Sequence, residues 1–376
     1  MSGGGIKASG SGGAGTTASG RAAAAADGRA AKVRRRVVSV PVVLVMFASV
    51  TALLPVLLAI SLLVDAIRLA LRRTPPTIAR LILMLEAYLV AQAVGLCLLF
   101  GVWVASGFGG SPRRLAAMTF AVQQAWAGWL MGCARSIFSL RIDLGDNSPA
   151  AQGPYVLAIR HTSIVDNLLP ALAVSRPLGI RLRYVLKREL LVDPCFDVAG
   201  CRLPNHFVDR DSGDPQEIER VRAISGGMGG RDAVLIYPEG TRATPAKRKR
   251  ALERIAERNP ARAEALADLG HSLPPRPGGI VALLEGAPEA DVVVMVHAGL
   301  DGLRGVAEVL DGGLVRVPIA IRLVRVPRRD IPAGGESEWL DALWLRIDSW
   351  VAAALDAHAS GQPVPDFELR SGILIP

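Results

Sequence analysis

The stretch VLAIRHTSIVDNLLPAL, residues 156–172, places a histidine and an aspartate between two apolar runs. Residues 155–160 have the apolar, β-branched pattern of a strand, and a helical pattern begins at about residue 163. His161 is then expected in the turn between strand and helix, with Asp166 in the first helical turn. Titratable groups in such a place cost free energy unless they are paired. The stretch predicts a strand–turn–helix unit with chemistry in its turn.

The same alternation continues on both sides of this unit. Further strand patterns lie at 182–187, 233–238, 291–298 and 314–326, and helical patterns at 214–224, 245–268, 277–286 and 336–357. Strands that alternate with helices are typical of an α/β fold. We predict a mostly parallel sheet flanked by helices over 141–335, followed by a C-terminal helix and tail at 336–376.

The N-terminal part has a different composition. Residues 1–36 are rich in Gly, Ser and Ala and end in the basic cluster KVRRR, which predicts a disordered basic tail. Two uncharged stretches, 37–64 and 87–112, are each long enough to cross a bilayer. We predict a membrane helical hairpin over 37–112, which either spans or re-enters the bilayer; a buried soluble hairpin is the alternative. Arg and Lys outside the pair favour a catalytic domain on the cytoplasmic side.

A third uncharged stretch, 115–134, carries Gln123 and Gln124 at its centre and Trp126 and Trp129 nearby. Central glutamines argue against a lipid-facing span, and tryptophans suit the headgroup boundary, so we predict an interfacial helix over 113–140. The chain has a net charge of +9, which suits an anionic partner. Its aromatic content of 5% argues against stacking on nucleic acid, so we expect membrane lipid and not nucleic acid.

The spacing of His161 and Asp166 is suited to general base catalysis. A carboxylate that reaches back to one imidazole nitrogen fixes the tautomer and leaves the other nitrogen free as a base. The alternative is a capping box, Ser163-x-x-Asp166, in which Asp166 only caps the helix. The remaining histidines have no matching partner spacing, so we interpret His206, His271, His297 and His358 as structural or surface residues. No metal-ligand pattern is present.

A second polar motif, Glu239-Gly240-Thr241-Arg242, follows the apolar strand pattern at 233–238. Gly240 permits a tight turn, and Arg242 offers a planar fork to an oxyanion. Glu239 is expected to anchor that fork or the backbone of the turn. The basic run KRKR at 247–250 suits anionic lipid or the phosphates of coenzyme A, with a solvated helix face as the alternative.

In this order the two motifs resemble those of the glycerolipid acyltransferase superfamily, the 1-acylglycerol-3-phosphate acyltransferases. VLKREL (185–190) and FVDRDSGD (207–214) resemble the lysine and arginine blocks of that family. LPPRPGGIVALL (273–284) and WLDALWLRIDSW (339–350) resemble the branch with lysocardiolipin-type and long acylglycerophosphate acyltransferases. The resemblance covers roughly 115–355. Arg160 stands where the family often has asparagine.

The resemblance implies transfer of an acyl chain from acyl-CoA or acyl carrier protein to the free hydroxyl of a lysophospholipid. The expected acceptor is 1-acylglycerol-3-phosphate, which gives phosphatidic acid. The alternatives are another lysophospholipid acceptor or a non-catalytic phospholipid-binding membrane protein. Beyond the acyl donor as co-substrate, no cofactor is implied.

Roles for individual residues follow from the same resemblance. His161 is the general base and Asp166 its orienting partner. The substrate-binding residues would be Lys187, Arg210, Glu239, Gly240, Thr241 and Arg242, with Arg210 and Arg242 on the acceptor phosphate. Backbone N–H groups near Gly240 or at the helix start after Ser163 are the candidate donors to the tetrahedral oxyanion.

Overall fold

The computed structural model describes residues 28–163, 165–208, 214, 216–303 and 306–369. Three long helices come first: α1 Arg29–Arg72, α2 Ile78–Ala105 and α3 Pro112–Phe138. The predicted tail boundary at residue 36 is wrong, because α1 already begins at Arg29 and includes the basic cluster. Its Ala, Arg and Lys residues are good helix formers. The rest of the predicted tail, 1–27, lies outside the described residues.

A seven-stranded sheet follows in the described residues. Its strands are β1 Arg141–Leu144, β2 Tyr155–Ile159, β3 Arg181–Lys187, β4 His206–Val208, β5 Asp232–Ile236, β6 Asp291–Ala298 and β7 Pro318–Val326. The helices of this part are α4 Pro194–Gly200, α5 Glu217–Ser225, α6 Pro245–Ala256, α7 Pro260–Ala265, α8 Pro277–Gly286, α9 Val306–Leu310 and α10 Glu336–Ser360. Shorter helical turns lie at Ser148–Ala150, Val165–Leu168, Ala171–Ser175, Arg176–Leu178, Arg188–Val192 and Arg328–Asp330.

The strand order is β1-β7-β6-β2-β5-β3-β4. The β6–β7 pair is antiparallel and the other neighbouring pairs are parallel. The prediction of a mostly parallel sheet flanked by helices is confirmed. Because β2 and β5 are parallel neighbours in the middle of the sheet, the loops after them meet at one edge, where α/β folds hold their ligands. The two polar motifs of the sequence lie in these two loops.

Apolar side chains cover both faces of the sheet, as expected for buried parallel strands. On one face, Val156 and Ala158 of β2 share one apolar cluster with residues of helices α5, α8 and α10. On the other face, Tyr155, Leu157 and Ile159 meet Phe138 and other residues of α3. β2 is thereby fixed from two sides, so the loop that follows it begins from a rigid position.

Helix α3, predicted as an interfacial helix over 113–140, is also partly a core element. Its C-terminal half buries Met131, Ala134 and Phe138 in the core. The Gln124 side chain donates to the Ser175 carbonyl at 2.7 Å. Trp129 remains 45% exposed on the outer side. The central glutamine therefore satisfies a protein carbonyl, and only the outer face of α3 is open to a membrane surface.

Helices α1 and α2 are long and apolar enough to cross a membrane by length and composition. α1 exposes large apolar side chains along its length, among them Val42, Leu53, Val56, Ile60 and Leu63. The buried Asp65 caps the second helix, because its carboxylate accepts the N–H groups of Thr77, Ile78 and Ala79 at 2.9–3.1 Å. Asp65, the charged residue that ends the first uncharged stretch, thus joins the end of α1 to the start of α2.

Both ends of α1 are tied to the α/β domain. Near the start, Arg35 and Arg36 each bind the buried carboxylate of Asp197 in α4 at 3.0 Å. Near the end, Arg68 donates to the Leu310 carbonyl at 2.7 Å. An α-helix rises about 50 Å between residues 35 and 68. Helix α1 therefore lies along the domain and does not project away from it.

Candidate active site

The loop after β2 brings His161 and Asp166 into contact. Asp166 lies in the turn Val165–Leu168, and its Oδ2 is 3.2 Å from His161 Nδ1. Asp166 is fully buried, whereas 15% of the His161 side chain is exposed. In the part of the chain that the structure describes, nothing binds Nε2 of His161. The contact that the spacing predicted is present, and it engages one ring nitrogen of His161 and leaves the other unbound by the described residues.

The same oxygen of Asp166, Oδ2, makes the contacts expected from the capping interpretation and from the catalytic interpretation. Asp166 Oδ2 accepts the Ser163 N–H at 2.8 Å and the Thr162 N–H at 2.5 Å. Ser163 Oγ in turn accepts the Val165 N–H at 3.1 Å. The bond from the Ser163 N–H to Asp166 is the return half of a capping box, while Ser163 Oγ accepts from Val165 one residue earlier than in the full motif. The N–H donors fix the carboxylate that contacts His161. The two alternatives are therefore compatible, because the cap itself orients the histidine's partner.

His297 is a neighbour of Asp166 that the sequence pattern did not reveal. It is buried at the end of β6, with Nε2 3.8 Å from Asp166 Oδ1 and 3.0 Å from the Arg160 carbonyl. The signal was in the strand register: β6 pairs with β2 in parallel, and His297 and His161 each lie two residues beyond the paired Met295 and Ile159. We interpret His297 as a structural residue that lies within the site, next to Asp166.

Asp166 remains ionised in this environment. Burial alone would raise the pKa of its carboxyl group, but His297, His161 and the Ser163 N–H outweigh burial and hold the pKa below its usual range. A carboxylate that stays negative at neutral pH can stabilise an imidazolium formed on His161. This is the electrostatic condition for general base catalysis by a His–Asp pair.

Glu239 joins the second motif to the first. Its buried Oε1 accepts the backbone N–H of His161 and the Trp344 Nε1–H, both at 3.3 Å, and its Oε2 accepts the Leu273 N–H at 3.2 Å. Ala243 N–H also donates to the His161 carbonyl at 2.8 Å. The sequence offered Arg242 or the turn backbone as the partner of Glu239. The structure instead places its carboxylate on the backbone of His161 and on helix α10.

The environment of Glu239 acts on its carboxyl in the opposite sense. Burial raises the pKa of Glu239 to about 8, against the lowering effect of Arg160 and of the N–H donors. The group is therefore largely protonated near neutral pH. It suits a positioning role better than that of an anion facing substrate.

Arg160 is a buried clamp beneath the site. Its guanidinium donates to Ser272 Oγ at 3.2 Å, to the His297 carbonyl at 3.1 Å and to the His271 carbonyl at 2.9 Å, and it pairs with Asp301. With no exposed surface, it cannot reach a substrate phosphate. The arginine that departs from the family pattern thus joins β2, β6 and the 271–272 loop.

The turn formed by residues 239–242 displays positive charge. Gly240 has φ +73° and its N–H closes the turn on the Tyr237 carbonyl at 2.9 Å, so a glycine is favoured there. Lys247 Nζ donates to Thr241 Oγ1 at 3.0 Å and to the Arg242 carbonyl at 3.3 Å. Burial lowers the pKa of Lys247, and the charges of Arg242 and Lys187 lower it further. These three cations form one group beside the site.

Some of the residues predicted to bind substrate or the oxyanion are engaged elsewhere or are not described. The N–H of Gly240 is bonded to the Tyr237 carbonyl and, at the helix start after Ser163, the Val165 N–H is bonded to Ser163 Oγ, so these two candidate oxyanion donors already have acceptors. Within the described ranges, the N–H groups of Thr241 and Arg242 have no acceptor. The predicted phosphate ligand Arg210 lies outside the described residues. In those ranges no group of three His, Cys, Asp or Glu side chains is placed to hold a metal ion.

Comparison with known proteins places the site within a recognised domain. Residues 139–278 match the family model described as Acyltransferase, and this range contains both motifs. No curated protein matches the chain. Among solved structures, the chain is similar to the 1-acyl-sn-glycerophosphate (LPA) acyltransferase PlsC from Thermotoga maritima. The identity is 12% and the TM-score 0.45, over 74% of this chain and 97% of that one.

Proposed function

We propose that this chain, whose residues 139–278 form an acyltransferase domain of the glycerolipid acyltransferase superfamily, acylates the free hydroxyl of a lysophospholipid. The acceptor we propose is 1-acylglycerol-3-phosphate, and the product is phosphatidic acid. The observation that carries this proposal is the His161–Asp166 pair, with Nε2 of His161 open next to the cations of the residue 239–242 turn. A base beside positive charge suits a hydroxyl substrate that carries a phosphate.

The geometry supports a direct transfer. His161 Nε2 removes the proton from the acceptor hydroxyl as its oxygen attacks the carbonyl carbon of an acyl thioester. The new C–O bond forms a tetrahedral intermediate. The C–S bond then breaks, and the thiol leaves with the proton from the imidazolium. Asp166 stabilises the imidazolium between these steps, which leaves the substrate hydroxyl in the position that serine has in a Ser-His-Asp triad.

The acceptor phosphate would bind the exposed cations nearest to the base. Arg242 is exposed, and its charge lies near those of Lys187 and Lys247. A guanidinium fork binds a phosphate through two parallel hydrogen bonds. Arg210 would join them according to the family resemblance. In 1-acylglycerol-3-phosphate the phosphate is esterified to the carbon adjacent to the one that bears the reacting hydroxyl, so its ligands must lie close to His161.

We infer that the hairpin, which is long and apolar enough to enter a membrane, holds this chemistry at a membrane surface. A hairpin that crossed the bilayer would hold its turn about 30 Å from the domain. Pro75, in the turn between α1 and α2, instead packs so tightly on Gly312 that a Cβ there would meet it at 2.2 Å. Together with the tethers of Arg35, Arg36 and Arg68, this contact favours the re-entrant alternative. The exposed apolar side of α1 would enter one leaflet.

The function is tested with the purified full chain, labelled acyl-CoA or acyl carrier protein, and a panel of lysophospholipids. We expect acylated product with 1-acylglycerol-3-phosphate at higher kcat/KM than with other acceptors. Preference for another lysophospholipid would change the proposed acceptor but leave the proposed acyl transfer standing. Free fatty acid released at the same rate without any lysolipid would contradict acyl transfer, and binding without turnover would favour the non-catalytic alternative.

The membrane arrangement is tested separately, by labelling Arg72→Cys and Lys249→Cys variants in vesicles with an impermeant maleimide. Lys249 is an exposed residue of the α/β domain and serves as the control. If the hairpin turn stays with the domain, the labelled peptides of both variants appear from the same side of the vesicle. Protection of the thiol in the Arg72→Cys variant alone would show a crossing hairpin.

A further inference from the structure

A cleft of about 490 Å³ lies between α6 and the segment 273–276. Glu239 and Thr241 line it on the side of the site. Leu273, Pro274 and Arg276 adjoin them, because the Leu273 N–H donates to Glu239 Oε2 at 3.2 Å and the Arg276 N–H to the Pro238 carbonyl at 2.9 Å. Helix α6 and its C-terminal cap supply the remaining lining, Lys247, Arg250, Ala251, Glu253, Arg254 and Glu257. The volume is within the range of small-molecule sites. The cleft therefore begins at the residue that supports His161 and extends away from it.

The charge in this cleft is predominantly positive. Lys247, Arg250 and Arg254 follow one another at spacings of three and four, which places them on one face of α6. With Arg276 they outnumber the cleft's exposed carboxylates, Glu253 and Glu257. In the part of the chain that the structure describes, Arg250, Arg254 and Arg276 are in no ion pair with a carboxylate. This excess of unneutralised positive charge suits a ligand with several negative groups.

The position of these cations decides between the two substrates. Lys247 is bonded to Thr241 beside the site, and Arg254 lies about 10 Å further along the helix axis. A lysophospholipid has its phosphate next to the reacting hydroxyl, so the far end of the cleft is out of reach of that phosphate. A coenzyme A thioester has the opposite layout. Its phosphates are separated from the reacting carbonyl by the long pantetheine arm.

We propose that this cleft binds the phosphates of coenzyme A, so that acyl-CoA and not acyl carrier protein is the acyl donor. The proposal rests on the proposed acyl transfer at His161 and specifies its donor. Arg250, Arg254 and Arg276 contact the phosphates, and the pantetheine arm runs past Thr241 towards the base. An acyl carrier protein brings a single phosphate on its arm and needs a docking surface of about 800 Å² outside the cleft.

The binding test uses free coenzyme A and the full chain in detergent micelles, without acceptor. We expect calorimetry to show a Kd raised on the order of tenfold or more in Arg250→Ala/Arg254→Ala, because each guanidinium–phosphate contact is charge-assisted. Lys249→Ala is the control, since it removes one positive charge from α6 outside the cleft, and the single variants Arg250→Ala and Arg254→Ala are its charge-matched counterparts. Equal Kd values in the wild type and the double variant would overturn the proposal.

Turnover separates this proposal from the proposed function. With acyl-CoA, the double variant should raise KM for the donor on the order of tenfold while KM for the lysolipid stays within about twofold. With an acyl-pantetheine that lacks the phosphates, wild type and double variant should react equally. A rise in KM for the lysolipid alone, or a higher kcat/KM of the wild type with acyl carrier protein, would overturn the donor assignment. Cation-dependent coenzyme A binding without any acyl transfer would support the cleft and reject the function.

Discussion

The turn after β2 and the turn after β5 each bury one carboxylate beside His161, yet the two groups are in opposite electrostatic states. Asp166 touches the His161 ring and is held below its usual pKa by His297, His161 and a backbone N–H that outweigh burial. Glu239 touches only the backbone of His161, and burial raises its pKa to about 8 despite the nearby Arg160. The ring partner is thus charged and the backbone partner largely neutral.

This difference shows how one fold assigns two roles to similar side chains. A charged carboxylate on the ring can stabilise the imidazolium of a transition state. A protonated carboxyl on the backbone can keep the loop in place without adding a second negative charge to the site. We therefore propose that Asp166 is the electrostatic partner of the base and Glu239 a positioning residue. Substitutions of the two carboxylates and of His161 test that separation.

Removing the base should have the largest effect. His161→Ala is expected to lower kcat at least about 10²-fold, since general base catalysis contributes about 10²–10⁴-fold. Binding of the lysolipid, measured without donor, should stay near wild type. His358→Ala, near the C-terminal end of α10, is the histidine control and should retain full turnover. A normal kcat in His161→Ala would contradict the proposed mechanism, because the roles of Asp166 and Glu239 both depend on His161 as the base.

The two carboxylates should respond differently to amide substitution. Asp166→Asn is expected to lower kcat on the order of 10²-fold, because it removes the negative charge that faces the imidazolium. Glu239→Gln should cost less than about tenfold, since a neutral amide replaces a largely neutral carboxyl. Steady-state kinetics at saturating substrates gives both values. Equal losses in the two variants would contradict the separation of roles.

The exposed arginine of the second turn should affect binding more than chemistry. Arg242→Ala is expected to raise KM for 1-acylglycerol-3-phosphate on the order of tenfold, with little change in KM for the donor. Arg242→Lys should recover only part of this, because it keeps the charge and loses the fork. If KM rises equally for both substrates, the phosphate role of Arg242 is wrong.

The smallest effect concerns the pH dependence of stability. The pKa of Glu239 is raised from 4.5 to about 8, so the folded state holds a proton that the unfolded state has lost. Its contribution is complete below pH 4.5 and is lost as pH rises towards about 8. Asp166, with a lowered pKa, has the opposite sign and loses its contribution only in acid. Chemical denaturation should show a flatter profile for Glu239→Gln over this window, and a parallel profile would contradict the raised pKa.

The sequence predicted the parts of the site that depend on local order. An apolar strand followed by His161 and Asp166, and another followed by Gly240 and Arg242, are patterns of adjacent residues. That the two patterns belong to one site came from their resemblance to the family, and the parallel pairing of β2 and β5 brings both to one edge of the sheet. The sheet class followed from the same alternation of strands and helices.

The parts that the sequence did not predict depend on partners far apart in the chain. The bond from Glu239 to the His161 backbone and the position of His297 require the β2–β5 and β2–β6 pairings. The tail boundary failed for a similar reason, since Arg35 and Arg36 are fixed by Asp197. Composition alone does not indicate such a partner.

The central claim, that His161 and Asp166 act as one unit in acyl transfer, is tested most directly by a double-mutant cycle on kcat. His161→Ala, Asp166→Asn and the double variant are compared with wild type, using acyl-CoA and 1-acylglycerol-3-phosphate at saturation. If Asp166 acts only through His161, the double variant loses no more than His161→Ala alone. Losses that multiply would show that Asp166 acts independently of the base and would contradict the account.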